Sequence, residues 1–452
     1  MEFREDFTWG VATSACQIEG AAKEGGKGPS IWDEFCRQPG KIVNGEDSFT
    51  ACDHYHRFRE DVALMKEMGV KAYRFSIDWS RVMPEGTGAV NEEGIRFYDN
   101  LINELLEAGI EPFITLYHWD LPLALERRGG WMNPQIVEWF GDYAALISRR
   151  FSDRVTHYFT INEPQCFVGL GYLRGNHAPG LQRSLSDTLL IAHNVLKAHG
   201  RAVQRLREAA GRTIQVGYAP TCGGVYPETE KPEDIEAARQ TYFSIPGDDN
   251  WTWNVPWWSD PVILGHYPEE GLARFEAYMP VVTEADMKLI SEPIDFYGQN
   301  LYNGWCVRAG ADKKPEDVPR YAGFPRTACG WPVTPEVLRW APRFLYERYG
   351  KPIYITENGI SCTDMISLDG RVHDPQRIDF TARYLRELKK AADDGADVRG
   401  YFYWSFMDNF EWSEGYSQRF GLVYVDYRDQ KRIPKDSAEW YRRVIETNGR
   451  DL

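Results

Sequence analysis

Residues 61–79 read Asp61-Val62-Ala63-Leu64-Met65-Lys66-Glu67-Met68-Gly69-Val70-Lys71-Ala72-Tyr73-Arg74-Phe75-Ser76-Ile77-Asp78-Trp79, and the apolar period changes in the middle. Up to Met68 the spacing is helical. Gly69 suits a left-handed C-cap, and Val70 to Ile77 reads as a strand that delivers Asp78 and Trp79 at its end. The same unit recurs. Leu101, Ile102, Leu105 and Leu106 mark a helix stopped at Gly109, and Pro112 to Tyr117 is an apolar strand ending at His118-Trp119-Asp120. Arg343 to Tyr349 stops at Gly350 before a strand at Ile353 to Thr356, and Leu385 to Asp394 stops at Gly395 before one at Tyr401 to Phe406. Further strands at Thr8 to Thr13, Val155 to Ile161, Ile214 to Ala219 and Phe296 to Leu301 complete a set of eight.

Strands alternating with helices imply a parallel sheet, and continuously apolar strands imply burial on both faces, as in a closed barrel inside a ring of helices. The expected fold is α/β: a single (β/α)8 TIM-barrel domain over residues 1–452 with extended βα loops. A plain barrel takes about 250 residues. The surplus of this 452-residue chain therefore belongs in loops at the C-terminal ends of strands, most visibly Gly223 to Pro261 and Ala309 to Trp331. A doubly wound nucleotide-binding sheet would need a phosphate loop. Gly25-Gly26-Lys27-Gly28-Pro29 has neither required spacing, and Pro29 removes a backbone donor, so it reads as a surface loop.

Composition narrows the function. An apolar fraction of 43% supports a large core, while a net charge of −15 opposes a polyanionic partner, so no nucleic acid is expected. No apolar run approaches the ~20 residues of a membrane helix. The segment Met1-Glu2-Phe3-Arg4-Glu5-Asp6 has no cationic stretch leading into an apolar one, and the eight cysteines between Cys16 and Cys362 form no C-x-x-C pair. A cytoplasmic protein with free thiols is expected, with homo-oligomers left open. His54-x-His56 beside Cys52 does not put two ligands on one helical face, so these residues read as structural; no metal or cofactor is expected.

Thr160-Ile161-Asn162-Glu163-Pro164 closes one strand and Ile355-Thr356-Glu357-Asn358-Gly359 another, so each delivers a carboxylate to the barrel rim. Two carboxylates flanking a glycosidic bond are the minimal machinery for hydrolysing it. With 67 acidic residues most are solvated surface charges; position after a buried strand, beside an Asn, sets these two apart. Trp79, Trp119, Trp404 and Trp412 also lie at or just beyond strand ends, next to polar groups, as a pyranose with one C–H face and a hydroxyl rim requires.

These residues resemble the family 1 glycoside hydrolases. The resemblance begins at Phe7-Thr8-Trp9-Gly10-Val11-Ala12-Thr13-Ser14 with Gln17-Ile18-Glu19-Gly20, runs through both Glu motifs, and reaches Arg419-Phe420-Gly421-Leu422 and Trp440-Tyr441. It implies a retaining β-glycosidase that removes terminal β-glucosyl, and also galactosyl or fucosyl, residues from small β-glycosides and oligosaccharides. By that resemblance Glu163 is the general acid/base and Glu357 the nucleophile, with Arg74 and Tyr302 beside Glu357. Asn162 would hold the sugar 2-hydroxyl, Gln17, His118, Trp119, Glu411 and Trp412 the other hydroxyls, and Trp404 the underside of the ring. Asn300 is kept, whereas Leu301 stands where many relatives have a second Tyr, which would alter the fit of the leaving group. Trp331 and the loop with Trp251, Trp253, Trp257 and Trp258 would line the leaving-group side. Glu411 and Glu414 would repel a phosphorylated sugar. A transglycosylase using the same intermediate and a non-catalytic carbohydrate-binding protein are the alternatives; paired carboxylates argue against the second.

Overall fold

Eight parallel strands close into a barrel in the computed structural model, which describes residues 2–247 and 250–452. They are β1 (Thr8–Ala12), β2 (Ala72–Ser76), β3 (Glu111–Tyr117), β4 (His157–Asn162), β5 (Gln215–Ala219), β6 (Phe296–Asn300), β7 (Ile353–Asn358) and β8 (Val398–Trp404). Each expected strand is present within a few residues of its expected ends. Closure is made by β1 against β8, with Thr8 opposite Gly400 and Ala12 opposite Trp404. Beneath this seam Trp9 Nε1 donates to Asn448 Oδ1 at 2.9 Å and the Tyr441 hydroxyl to the Gly10 carbonyl at 2.9 Å.

The outer ring consists of α1 (His54–Glu67), α2 (Glu92–Glu107), α3 (Ile136–Phe151), α4 (Leu185–Ala209), α5 (Glu284–Ile290), α6 (Val337–Tyr349), α7 (Pro375–Asp393) and α8 (Asp436–Glu446). Gly69, Gly109, Gly350 and Gly395 all take the left-handed conformation that ends a helix. The helices α1 and α7 begin earlier than the apolar period indicates, because their first turns hold many polar residues that carry no periodic signal, and α6 begins earlier because the helix continues through Pro342.

The barrel interior alternates bulky and absent side chains. Phe113, Phe159, Phe296, Tyr354 and Phe402 fill it, and a Cβ added to Gly217 would lie 2.0 Å from the Phe296 ring. The interior is thus packed solid below the site.

The surplus residues lie where barrel geometry puts them. The two anticipated insertions meet on a strand that precedes the second: Gly304–Ala309 pairs with Gly224–Pro227 on one side and Pro315–Asp317 on the other, forming a three-stranded sheet. Two more were not anticipated, residues 13–53 after β1 and residues 405–435 after β8, the latter ending in the hairpin Val423–Asp426/Lys431–Pro434. Lys27 corrects the surface-loop reading in part, since its ammonium turns inward to Asp33 at 2.9 Å and Asp78 at 3.4 Å. No helix of the described residues is long and apolar enough to cross a membrane.

A buried ion network ties the β8 insertion down. Lys435 Nζ lies 2.6 Å from Asp364 and 2.7 Å from Asp408, and Arg419 and Arg377 hold the same two carboxylates. Lys435→Met is expected to destabilise the protein by about 3 kcal/mol, because it strands buried charge rather than replacing a pair. A chemical-denaturation midpoint equal to that of the wild type would contradict this.

Candidate active site

Both rim carboxylates are aimed by irregularities in the sheet. The β4–β5 pairing shifts register between Phe159 and Asn162, and β7 shifts against both neighbours between Ile355 and Asn358. Such shifts next to a site re-aim side chains that regular alternation would send elsewhere. Glu163, Trp119 and Trp412 moreover have left-handed backbones (φ 45°, 79° and 51°), conformations that non-glycine residues hold only when their surroundings enforce them.

The two carboxyls enter one cavity of about 910 Å³, also lined by His118, Trp119, Tyr302, Trp404, Glu411 and Trp412. Each is buried yet differently partnered. Glu357 Oε1 accepts from Arg74 Nη1 at 2.7 Å, and Oε2 from the Tyr302 hydroxyl at 2.8 Å. Glu163 Oε1 accepts from Asn300 Nδ2 at 2.7 Å, and Oε2 from the Cys166 thiol at 2.9 Å. The same Asn300 amide also donates to Asn162 Oδ1 at 3.0 Å, an acceptor that Arg74 shares.

Burial, and then the charge of Glu357, push the Glu163 carboxyl up to about 7. Burial also raises Glu357, but the Arg74 guanidinium and the Tyr302 hydroxyl oppose that rise and favour its ionised form. Glu411 is pushed up to about 8 by burial and by the charges of Glu357 and Glu163. Of the three carboxyls in this cavity, Glu357 is the one hydrogen-bonded by a cation, while Glu163 and Glu411 readily carry a proton.

Beneath the carboxylates lies a fixed polar layer. Asn162 Oδ1 accepts from Arg74 Nη2 at 2.6 Å and from Asn300 Nδ2 at 3.0 Å, and its Nδ2 lies 3.1 Å from His118 Nε2. Burial, assisted by Arg74, holds the His118 imidazole well below its ordinary value, so the ring is neutral. Its Nδ1 has no protein partner, and it stacks between Trp404 and Trp412 at 5.8 and 6.0 Å. Trp119 Nε1 donates to the Asn162 carbonyl at 3.1 Å.

Several expected site residues lie elsewhere. Gln17 is fully buried, with its amide taken by Ser14, Asn409 and the Phe410 carbonyl, so it does not line the cavity. Trp251, Trp257 and Trp258 pack on one another in the core, and only Trp253 of that group reaches the wall. Trp79 is likewise core, stacked on Tyr143 at 4.8 Å. Leu301 is buried and does not line the cavity. His54 pairs with Asp61 at 2.7 Å, while His56 sits on the surface against Asp53 and Glu24. Trp331, 37% exposed, stands at the mouth against Tyr302 and Phe420.

Sequence reasoning missed Cys166, although its position three residues after Glu163 in a helical turn places it on the same face. It also missed Trp32, which supports Trp412 from behind at 4.6 Å and carries no motif of its own.

The chain as a whole is similar to known proteins. β-Glucosidase A of Thermotoga maritima is 45% identical over 450 residues, covering 99% of this chain and 98% of that protein, and β-glucosidase A of Acetivibrio thermocellus is 44% identical over 99% of each. The solved Thermotoga maritima β-glucosidase in complex with glucoimidazole superposes with a TM-score of 0.90 over 99% of both chains, at 45% identity. The family model of glycosyl hydrolase family 1 matches residues 1–450, and with whole-chain identity of this order the chain belongs to glycosyl hydrolase family 1.

Proposed function

We propose that the chain is a retaining β-glucosidase acting on small β-glycosides and oligosaccharides, with Glu357 as nucleophile and Glu163 as general acid/base. The observation that carries this is the unequal environment of two buried carboxyls in one cavity: Arg74 and Tyr302 on one, none but neutral donors on the other. Arg74 ties the two sites together, donating to Glu357 and to Asn162 beside Glu163, and a carboxylate poised for direct attack facing a proton donor in the same cavity is the arrangement of a retaining enzyme.

In the first step Glu357 attacks the anomeric carbon while Glu163 gives its proton to the departing oxygen. Glu357 then becomes an ester and loses its charge, which removes one of the two main influences raising Glu163. Glu163 becomes more acidic as a result and serves as base toward water. Neutral His118, with its free Nδ1, and Glu411 suit the hydroxyl rim of the sugar, Trp404 its apolar face, and Asn162 and Asn300 orient the carboxyls. Gln17 would act through Asn409 and Phe410, holding the segment that leads into Glu411. Trp331 and Trp253 would meet the leaving group. Glu414 in the wall opposes a 6-phosphorylated sugar. All eight cysteines are unpaired, which supports a reducing, cytoplasmic setting.

Proton NMR of freshly cleaved aryl β-glucoside is expected to reveal β-glucose first, with the α-anomer appearing only by mutarotation. Initial α-glucose would refute retention, and saturable binding without turnover would favour a carbohydrate-binding protein.

A further inference from the structure

The second donor to Glu163 is a thiol, and the surrounding hydrogen bonds give that an effect. Asn300 Oδ1 accepts from the Thr356 hydroxyl at 2.6 Å, which fixes the amide so that its NH2 faces Asn162 and Glu163. Glu163 Oε1 therefore always meets an N–H, and a proton placed there would abut another proton. The acidic proton belongs on Oε2, the oxygen 2.9 Å from Cys166 Sγ.

We propose that Cys166 is a positioning residue for the acid/base: its thiol donates to Glu163 Oε2 when the carboxylate is ionised, and leaves that oxygen's proton free for the leaving group when it is not. This rests on the assignment of Glu163 above. Sulfur is a weak hydrogen-bond acceptor and S–H a weak donor. A thiol therefore orients the carboxyl in both steps while competing poorly with a glycosidic oxygen for the proton. A hydroxyl at the same place would hold the carboxylate more strongly and also accept the proton that catalysis needs.

The thiol remains a donor throughout, since burial, and then the Glu163 charge, push it well above its ordinary value. Cys166 itself is buried in the turn Pro164–Cys166, from which the chain continues as a π-helix over Phe167–Arg174. The other groups facing Glu163 are Glu357 on β7, Arg74 on β2, Asn300 on β6 with Tyr302 just beyond it, and Glu411 after β8. None of them is altered by a change at Cys166.

The test is the pH dependence of kcat/KM for Cys166→Ser and Cys166→Ala, measured with a dinitrophenyl and an alkyl β-glucoside. In the wild type activity is expected to fall as pH rises through about 7, where Glu163 loses its proton. Cys166→Ser is expected to move this alkaline limb down by about half a unit, since a stronger donor stabilises the carboxylate, and Cys166→Ala to move it up by a similar amount. Cys166→Ala is also expected to lose about fivefold more activity on the alkyl than on the dinitrophenyl substrate. An alkaline limb unmoved in Cys166→Ser, or moved in the same direction in both variants, overturns the proposal. Ser alone decides if Ala does not fold. Glu163→Ala is the control for the underlying assignment: if it cleaves alkyl glucosides normally, Glu163 is not the acid; if it does not, an unmoved limb condemns only the thiol.

Discussion

Replacing Glu357 by Gly is expected to lower turnover of an aryl β-glucoside by about 10⁵-fold, the scale seen when a covalent nucleophile is removed. Loss of the carboxylate eliminates the bond-forming partner and also the charge that balances the oxocarbenium-like transition state. Glu163 and its donors Asn300 and Cys166 remain, so the base function survives. An α-glucosyl fluoride should then bind in the vacated space as a mimic of the glycosyl-enzyme. Its fluoride faces where Glu357 stood, and Glu163 deprotonates an acceptor sugar to give a β-linked product that the variant does not hydrolyse. Arg74 loses an ion-pair partner but keeps Asn162 and the Thr356 carbonyl, so the fold is expected to persist at reduced stability. Hydrolysis at the wild-type rate would remove Glu357 from the mechanism. Formation of product from the β-fluoride rather than the α-fluoride would contradict the geometry of attack.

The second large effect depends on the substrate. Glu163→Ala is expected to reduce kcat/KM for an alkyl β-glucoside by about 10³-fold, within the usual range for general acid catalysis. A dinitrophenyl glucoside departs without protonation and should retain most of its rate of glycosyl transfer, so the ester on Glu357 accumulates. A rapid burst of dinitrophenolate followed by slow release is the expected signature, because the same residue also activates the water. The pH profile should lose its alkaline limb, the limb that burial and the Glu357 charge set near 7 in the wild type. Equal losses on both substrates would count against the acid role.

The parts of this design that could be read from sequence are those in which local chemistry and position agree. Barrel strands are apolar on both faces, and the glycines after α1, α2, α6 and α7 are required by a left-handed backbone, so both show in the residue order. Glu163 and Glu357 could be picked out because each follows a buried strand. Whether a tryptophan is wall or core leaves no such trace: Trp253 faces the cavity while Trp251, Trp257 and Trp258, in the same few residues, pack inward. Gln17 has a motif but no local signal that Asn409 and Phe410, far along the chain, take its amide. The hairpin Val423–Asp426/Lys431–Pro434 alternates weakly and sits beyond the eighth strand, where a barrel needs no further sheet. Lys27 looked solvated because the partners that bury it come from other segments.

The seam between β1 and β8 has a consequence for how the protein is made. On a ribosome β1 emerges first, but its second hydrogen-bonded neighbour, residues 400–404, emerges after most of the chain. Until then the growing sheet is an open arc with two bare edges, Val11 on one of them, and such edges recruit stray strands. Trp9 and Gly10 wait longer still for Asn448 and Tyr441. Ring closure is therefore a late act of synthesis, and nascent chains halted between β7 and β8 should be the ones that holdase chaperones retain.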